Sequence, residues 1–346
     1  MRTRNEVLLE HYGVTTDEEI YHFQWEAFER YRPSADQVVV TKFPYEAPEH
    51  PGIPSMAEIE KGMRENIIAQ PGGLFKVCRV GKCVVKRSSD WAILQEAENL
   101  LFLEKHSKVR TPKLYAAFIQ PGERFNVHYM VTEFIEGEVF DEAKWLALDE
   151  HARETICSKL SEQFQRLRAI PPEGYYGRVY HQPLRGAYHG FMVNIRGMCG
   201  PYETYEECAS AMYASAELRG ADSFGDFPDY LPHVKALLPQ IKEVLEKTRG
   251  SKPVLTHMDP KFTNILIRSI KGAEGKKEDW EVVLIDWESL AWLPAWLQTV
   301  ALNNKISLFG EAMAVFMPRV TGGFGEPYTL EKKIFKKSWE IGYSLP

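Results

Sequence analysis

The chain has 346 residues, 44% of them hydrophobic and 26% charged, and carries a formal net charge of −6. That is the composition of an ordinary globular protein with room for two domains and a substantial core. The acidic balance argues against nucleic acid or an anionic membrane as partner, because both select basic surfaces. No apolar stretch approaches the length of a membrane span.

Five cysteines without paired spacing predict neither a disulfide framework nor a zinc site. They read as reduced, small apolar residues of a cytoplasmic protein. Arg2 and Arg4 are followed by no apolar core, so no secretory signal is expected. Cys78 and Cys83 stand symmetrically about Val80-Gly81, and a tight hairpin there would set them opposite each other.

Residues 1–56 read as an extension and linker. Asp17 to Tyr31 is predicted as an aromatic-rich helix, and Pro44, Pro48, Pro51 and Pro54 punctuate the stretch after it. Ala57 to Ala69 is predicted as an amphipathic helix leading into a sheet. Gln70-Pro71-Gly72-Gly73 opens two strands, Leu74–Val80 and Lys82–Arg87, joined at Gly81. The glycine pair is too short to count as a phosphate-binding motif. The strands put Phe75, Val77 and Val84 on one face and Lys86 at a strand end, where an ammonium could reach nucleotide phosphates. A lone strand lysine is ordinarily a solvated edge residue, but the next segment raises its value. Ser88-Ser89-Asp90 signals a helix start, Ile93, Ala97, Leu100 and Leu101 fall at helical spacing, and Glu96 lies early on that helix. A carboxylate there is what pairs a strand lysine and aims it at phosphate. Strands are predicted at Pro112–Ile119 and Val127–Ile135. The second runs into Glu133-Phe134-Ile135-Glu136-Gly137, a connector whose backbone N–H and C=O groups can meet an adenine edge. Phe75, Val84, Lys86, Glu96, Glu133, Phe134 and Ile135 are the candidate nucleotide contacts.

From Asp141 the pattern turns helical, with Asp149 capping a segment whose stripe is Ile156, Leu160, Phe164 and Leu167. Pro171 to Arg185 is a loop rich in Gly, Pro and Tyr. A helix is predicted from Met198 to about Leu218, an acidic loop at Asp222–Asp229, and another helix at Tyr230–Lys247.

Val254-Leu255 then leads into His257 and Asp259. Asn264 opens the run Ile265-Leu266-Ile267, and Val282 to Ile285 ends at Asp286. Two β-branched strands joined by the Lys-rich stretch Lys271–Asp279 predict a hairpin, which brings Asn264 close to Asp286. An amide oxygen and a carboxylate there supply two oxygen ligands for Mg²⁺, which takes the rest from water and phosphate. Asp259 is left to accept a proton from an attacking hydroxyl. His257-x-Asp259-x-x-x-x-Asn264 followed by a strand ending in Asp286 is the kinase arrangement of catalytic and metal loops. His257 itself reads as an imidazole bracing the loop.

On Lys86, Glu96, Glu133–Gly137, His257-x-Asp259 with Asn264, and Asp286-Trp287-Glu288, the chain resembles the aminoglycoside phosphotransferase and choline kinase-like family of small-molecule kinases, over roughly residues 57–346. Gly200-Pro201-Tyr202-Glu203-Thr204 and the stretch from Trp287 to Trp296 look like its fungal branch. The resemblance implies an α+β, two-lobed protein-kinase-like fold. Residues 57–137 would form a small antiparallel-sheet lobe with the connector. Residues 138–346 would form a larger, mainly helical lobe with the catalytic loop, metal loop and acceptor site. By position, Lys86 would hold the α- and β-phosphates of ATP, oriented by Glu96. Asp259 would be the base, Asn264 and Asp286 would hold Mg²⁺, and Lys261 would approach the γ-phosphate. The chain departs from the family at Pro294-Ala295-Trp296-Leu297-Gln298, where an Asp-Ile-Ala type segment is common, and from protein kinases in having Trp287-Glu288 after the metal aspartate.

The sequence reads as an ATP-dependent phosphotransferase acting on a hydroxyl of a small molecule. A protein kinase is the competing enzyme, but no Ala-Pro-Glu segment follows Asp286 and the short remaining tail leaves little room for a peptide platform. A nucleotide-binding pseudo-enzyme that regulates a partner is a third reading, and a metal phosphatase using the same carboxylates a fourth. Glu203, Glu206, Glu207, Asp222, Asp226 and Asp229 would suit a cationic acceptor, with Trp287, Trp292 and Trp296 adding cation–π contacts. The acceptor is expected under the segment from about Pro171 to Tyr230, which adds Tyr175, Tyr176, Tyr180, Tyr188 and Phe191.

Overall fold

The computed structural model describes residues 1–30, 38–69, 75–122, 125–185, 198–222, 229–270, 279–307, 318–324 and 328–343. The expected glycine pair at 72–73, the Lys-rich turn, Tyr188, Phe191 and Asp226 lie outside these residues. By its internal contacts the chain divides into two units. One comprises Met1–Pro33, Pro171–Pro260 and Leu290–Pro346, and the other Ser34–Ile170 and Lys261–Ser289.

The second unit is rich in strands. Its six-stranded antiparallel sheet has the order β1-β5-β6-β4-β3-β2, with β1 at Tyr45–Glu46, β2 at Ile67–Ala69, β3 at Phe75–Val80, β4 at Cys83–Ser88, β5 at Leu114–Gln120 and β6 at Val127–Glu133. Helix α3 (Met56–Glu65) starts in a capping box, in which Ser55 and Glu58 satisfy each other's backbone N–H groups. It stops before the predicted end at Ala69, because Ile67–Ala69 pairs with β3 as an edge strand. The β3–β4 register sets Val80 against Cys83 and Cys78 against Val85. The turn is therefore Gly81-Lys82, with Gly81 at φ +57°. That centres the hairpin one residue later than expected, and the two cysteines are diagonal neighbours, not opposite ones. Cys78, Cys83 and Val85 face a cluster with Ile59, Met63, Ala116, Tyr129 and Val131. The alternate residues Val77, Val84 and Lys86 point to the other face, with Met130 paired to Lys86.

Helix α4 (Ala92–His106) follows β4. A second sheet, of order β12-β11-β7, comprises β7 (Glu138–Val139), β11 (Ile265–Ile270) and β12 (Asp279–Leu284). Gly137 is needed where β7 approaches β11, because a Cβ there would stand 3.0 Å from the Ile267 carbonyl oxygen. Helices α5 (Glu142–Ala147) and α6 (Glu150–Arg168) complete the unit. Asp149 caps α6 by accepting the Ala152 N–H, and α6 packs on β12. Residues 138–170 and 261–289 thus belong by contact to the strand-rich unit.

The other unit is mainly helical. Helices α1 (Arg4–Tyr12) and α2 (Asp17–Arg30) come from the N-terminal segment. Thr3 and Glu6 form a capping box at the start of α1, an S/T-x-x-E signal for a helix absent from the expected elements. Buried Arg4 donates to the Ala221 carbonyl at 2.7 Å and joins α1 to α7. Short strands β8 (Leu184–Arg185) and β9 (Met198–Cys199) pair with each other. Helix α7 (Tyr205–Ala221) begins at the Thr204–Glu207 capping box, later than predicted from Met198. Helix α8 (Pro232–Lys247) packs closely on it at Gly220, where a Cβ would fall 2.6 Å from Val234. Strands β10 (Pro253–His257) and β13 (Leu290–Pro294) form an antiparallel pair, followed by α9 (Leu297–Ser307) and a last helix at Thr329–Tyr343. The Trp296 and Phe335 rings meet at 4.5 Å, tilted by 38°, in the core of this unit.

Candidate active site

Lys86 is placed by the β3–β4 hairpin and Glu96 by the second turn of α4. The lysine ammonium donates to Glu96 Oε2 at 2.6 Å and also to Asp286 Oδ1. Burial disfavours its charged form, but the carboxylates of Asp286, Glu96 and Glu288 outweigh that and hold Lys86 above the ordinary lysine range. Glu96 is 3% exposed. Burial raises its pKa, and the Lys86 ammonium offsets only part of the rise.

Asn264 and Asp286 meet as the hairpin predicts. Ile265 pairs with Leu284, and the Ile285 N–H donates to the Asn264 carbonyl at 3.0 Å. The Asn264 amide nitrogen donates to Asp286 Oδ2 at 3.2 Å. Asp286 adopts φ +66°, a left-handed conformation that aspartate tolerates better than most residues and that recurs at functional sites. Beyond it, the Trp287 N–H donates to Glu96 Oε1 at 3.3 Å, so Glu96 joins Lys86 to the loop that follows Asp286. Lys261 precedes the 3₁₀ turn Phe262–Asn264, and its carbonyl accepts the Asn264 N–H at 2.9 Å. Phe262 is fully buried with its ring against Phe140 at 4.8 Å, an anchor for this turn that no motif announces.

In the helical unit, β10 ends at His257, which is 0% exposed. His257 Nδ1 accepts the Asp259 N–H at 3.1 Å. The Gln298 side chain accepts from His257 N and donates to His257 O, both at 2.9 Å. The imidazole is a brace, as expected, and Gln298 is a second brace that the sequence does not announce.

The connector is tied down at its start. Arg110 holds the Glu133 carboxylate through two bonds of 2.8 and 2.9 Å. Burial raises the Glu133 pKa, but these bonds bring it below the ordinary range. The Glu133 and Phe134 N–H groups are spent on the Lys113 and Lys82 carbonyls. Among the described residues the Ile135 and Glu136 N–H groups donate to no backbone carbonyl. Arg79 lies over the Phe134 ring at 3.7 Å. Phe75 and Val84 are both half-buried, on the sheet face that also bears Lys86.

The donor set fits a divalent cation. Carboxylate oxygens of Glu96, Asp286 and Glu288 lie within 4.8 Å of one another, a grouping of oxygen donors that a metal ion could use. A cation held between Asp286 and Asn264 would take the amide oxygen, so the Asn264 amide would turn over from its present orientation.

Trp287, Trp292 and Trp296 are each fully buried, which removes them from the expected acceptor contacts. Several expected rim carboxylates already have partners. Glu203 meets His181 at 2.7 Å, Glu207 closes the α7 capping box, Asp222 accepts from the Tyr12 hydroxyl, and Asp229 pairs with Lys235.

The model of the phosphotransferase enzyme family matches residues 75–297, more than half of the chain. The chain belongs to the phosphotransferase enzyme family. Solved structures of aminoglycoside phosphotransferases share its fold. APH(2")-IIia in complex with GDP and kanamycin is 16% identical, with a TM-score of 0.51 over 83% of this chain and 89% of that one. A thermostable mutant of aminoglycoside phosphotransferase APH(4)-Ia, in a ternary complex with AMP-PNP and hygromycin B, is 13% identical, with a TM-score of 0.51 over 80% and 84%. No curated protein sequence matches the chain. The α+β, kinase-like fold is thus the one expected. Among the described residues no helix is long and apolar enough to cross a membrane.

Proposed function

We propose that this member of the family transfers the γ-phosphoryl group of ATP to a hydroxyl of a small molecule. The observation that carries this reading is Lys86 held by both Glu96 and Asp286, with Asn264 on the other Asp286 oxygen. A lysine aimed by a helix glutamate, beside an aspartate–asparagine pair, matches the phosphate and metal groups of a kinase.

Lys86 holds the α- and β-phosphates. The Ile135 N–H meets the adenine edge, with Phe75 and Val84 along the base and Glu133 and Phe134 fixing the connector. Asn264 and Asp286 hold Mg²⁺, which when bound neutralises charge on the transferring phosphoryl group. Asp259, at the end of a loop fixed by His257, accepts the proton of the attacking hydroxyl. Lys261 approaches the γ-phosphate. The acceptor meets the helical unit, in the segment Pro171–Tyr230. The kanamycin and hygromycin B in the two structural relatives support an acceptor that is a small molecule with several hydroxyls and cationic groups.

Purified protein incubated with ATP, Mg²⁺ and pools of small hydroxylated molecules, cationic ones included, is expected to release ADP with at least one pool. Asp259→Ala should lower that rate by roughly 10²–10⁴ with nucleotide binding retained. Asp286→Ala should abolish Mg²⁺-dependent nucleotide binding. Equal weakening of nucleotide binding by both substitutions would overturn the division of roles. Turnover only on folded proteins or peptides would overturn the acceptor class.

A further inference from the structure

Helix α4 carries four polar residues, Gln95, Glu96, Glu98 and Asn99, each at most 3% exposed. Buried polar side chains of this kind are mostly hydrogen-bonded, and in Gln95 and Asn99 the amide nitrogens carry the bonds while Gln95 Oε1 and Asn99 Oδ1 have no partner among the described residues. Glu96 is accounted for by Lys86 and Trp287. The amides of Gln95 and Asn99 reach the same loop. Asn99 Nδ2 donates to the Trp287 carbonyl at 2.7 Å, and Gln95 Nε2 donates to the Glu288 carbonyl at 2.5 Å. Residues 95 and 99 are one helical turn apart, so a single face of α4 binds three backbone groups just past Asp286.

We propose that Gln95 and Asn99 are positioning residues for the metal aspartate, fixing where its carboxylate stands by holding the backbone that follows it. The inference rests on the reading of Asp286 as a metal ligand and adds residues that the reading does not use. Asp286 has a left-handed backbone, a strained conformation that persists only where the surrounding structure holds it. The loop beyond it is a short 3₁₀ turn, Trp287–Ser289.

The helix doing the holding is itself anchored from another side. Glu98 Oε1 accepts from the Val40 N–H at 2.9 Å, the Thr41 N–H at 2.8 Å and the Thr41 hydroxyl at 2.9 Å. A helix pinned to residues 40–41 and to the metal loop together has little freedom to swing.

The test is calorimetric ADP binding as a function of Mg²⁺ concentration, for the wild-type chain, Asn99→Ala and Gln95→Met. Loss of a group that orients a metal ligand weakens metal affinity by roughly 10–100-fold. The variants should therefore need at least about tenfold more Mg²⁺ for half-maximal ADP binding, while ADP affinity in EDTA stays within about twofold of wild type. Should Asn99→Ala fail to fold, Gln95→Met alone decides. Variants that melt earlier but keep the wild-type Mg²⁺ requirement would show that the amides only stabilise the fold, and the proposal falls. A wild-type chain whose ADP binding ignores Mg²⁺ would remove the metal reading itself, and this inference with it.

Discussion

The loop around Asp259 and the loop around Asp286, proposed as the catalytic loop and the metal loop, solve the same problem with different materials. Around Asp259 much of the brace lies inside the motif, because the His257 ring takes the Asp259 N–H, and Gln298 holds the His257 backbone from farther along the chain. Around Asp286 the brace comes from α4, whose Asn99 lies 188 residues before the Trp287 carbonyl it holds. The first loop positions an aspartate by short-range hydrogen bonds that a motif can record. The second positions one by a packed helix, so its geometry depends on tertiary structure that no local motif records.

Removing the charge that links α4 to the metal loop should break the second arrangement most severely. Lys86→Met leaves Glu96 facing Asp286 and Glu288 without an ammonium. Deleting one partner of a buried ion pair costs on the order of 3–5 kcal/mol near neutral pH. The sign of the pH dependence comes from Glu96. Burial already raises its folded pKa, and without Lys86 the rise is larger. A carboxylate whose folded pKa exceeds its unfolded value binds more protons in the folded state, so stability falls as pH rises between the two values. Read by denaturant midpoint, the deficit of Lys86→Met against wild type should shrink as pH is lowered from neutral towards the unfolded carboxylate pKa. A deficit that stays constant over that range would mean the lost stability comes from packing and not from charge.

The first arrangement is tested at Gln298. Gln298→Met removes both bonds to the buried His257 backbone, at 2.9 Å each. That should destabilise by about 2 kcal/mol. Its functional mark should be opposite to that of Asn99→Ala: kcat lowered through a loosened Asp259, with the Mg²⁺ requirement for ADP binding unchanged. If Gln298→Met instead raises the Mg²⁺ requirement, the two loops are not independently braced.

Legibility in the sequence divides between the two loops in the same way. Asn264 and Asp286 are legible because a hairpin is a local object, and two β-branched runs fix its register. Lys86 and Glu96 are legible because strand, turn and helix come within eleven residues of sequence. Gln95, Glu98 and Asn99 are not, since polar residues on a helix ordinarily face water and nothing local reports that α4 is buried on nearly every side. The start of α1 is written in Thr3 and Glu6, and the single-residue slip at Cys78 and Cys83 comes from centring on Val80-Gly81 a turn that is Gly81-Lys82. The contact units interleave along the chain because β7 pairs with β11 across more than a hundred residues, which a linear division cannot express.

The smallest expected effect separates side chain from backbone within the metal loop itself. Trp287 is fully buried, and its indole N–H donates to the Leu284 carbonyl at 2.9 Å. Its main chain, not its ring, makes the bonds to Glu96 and Asn99. Trp287→Phe keeps an aromatic ring in the core, deletes one hydrogen bond and leaves those backbone contacts in place. A loss of about 1 kcal/mol is expected, one hydrogen bond's worth, with some added cost for the smaller ring. The Mg²⁺ dependence of ADP binding should match wild type, because the groups that set Asp286 are untouched. A raised Mg²⁺ requirement in Trp287→Phe would move the positioning role from the α4 amides to the indole, and would make the metal loop, like the catalytic loop, a motif that carries its own brace.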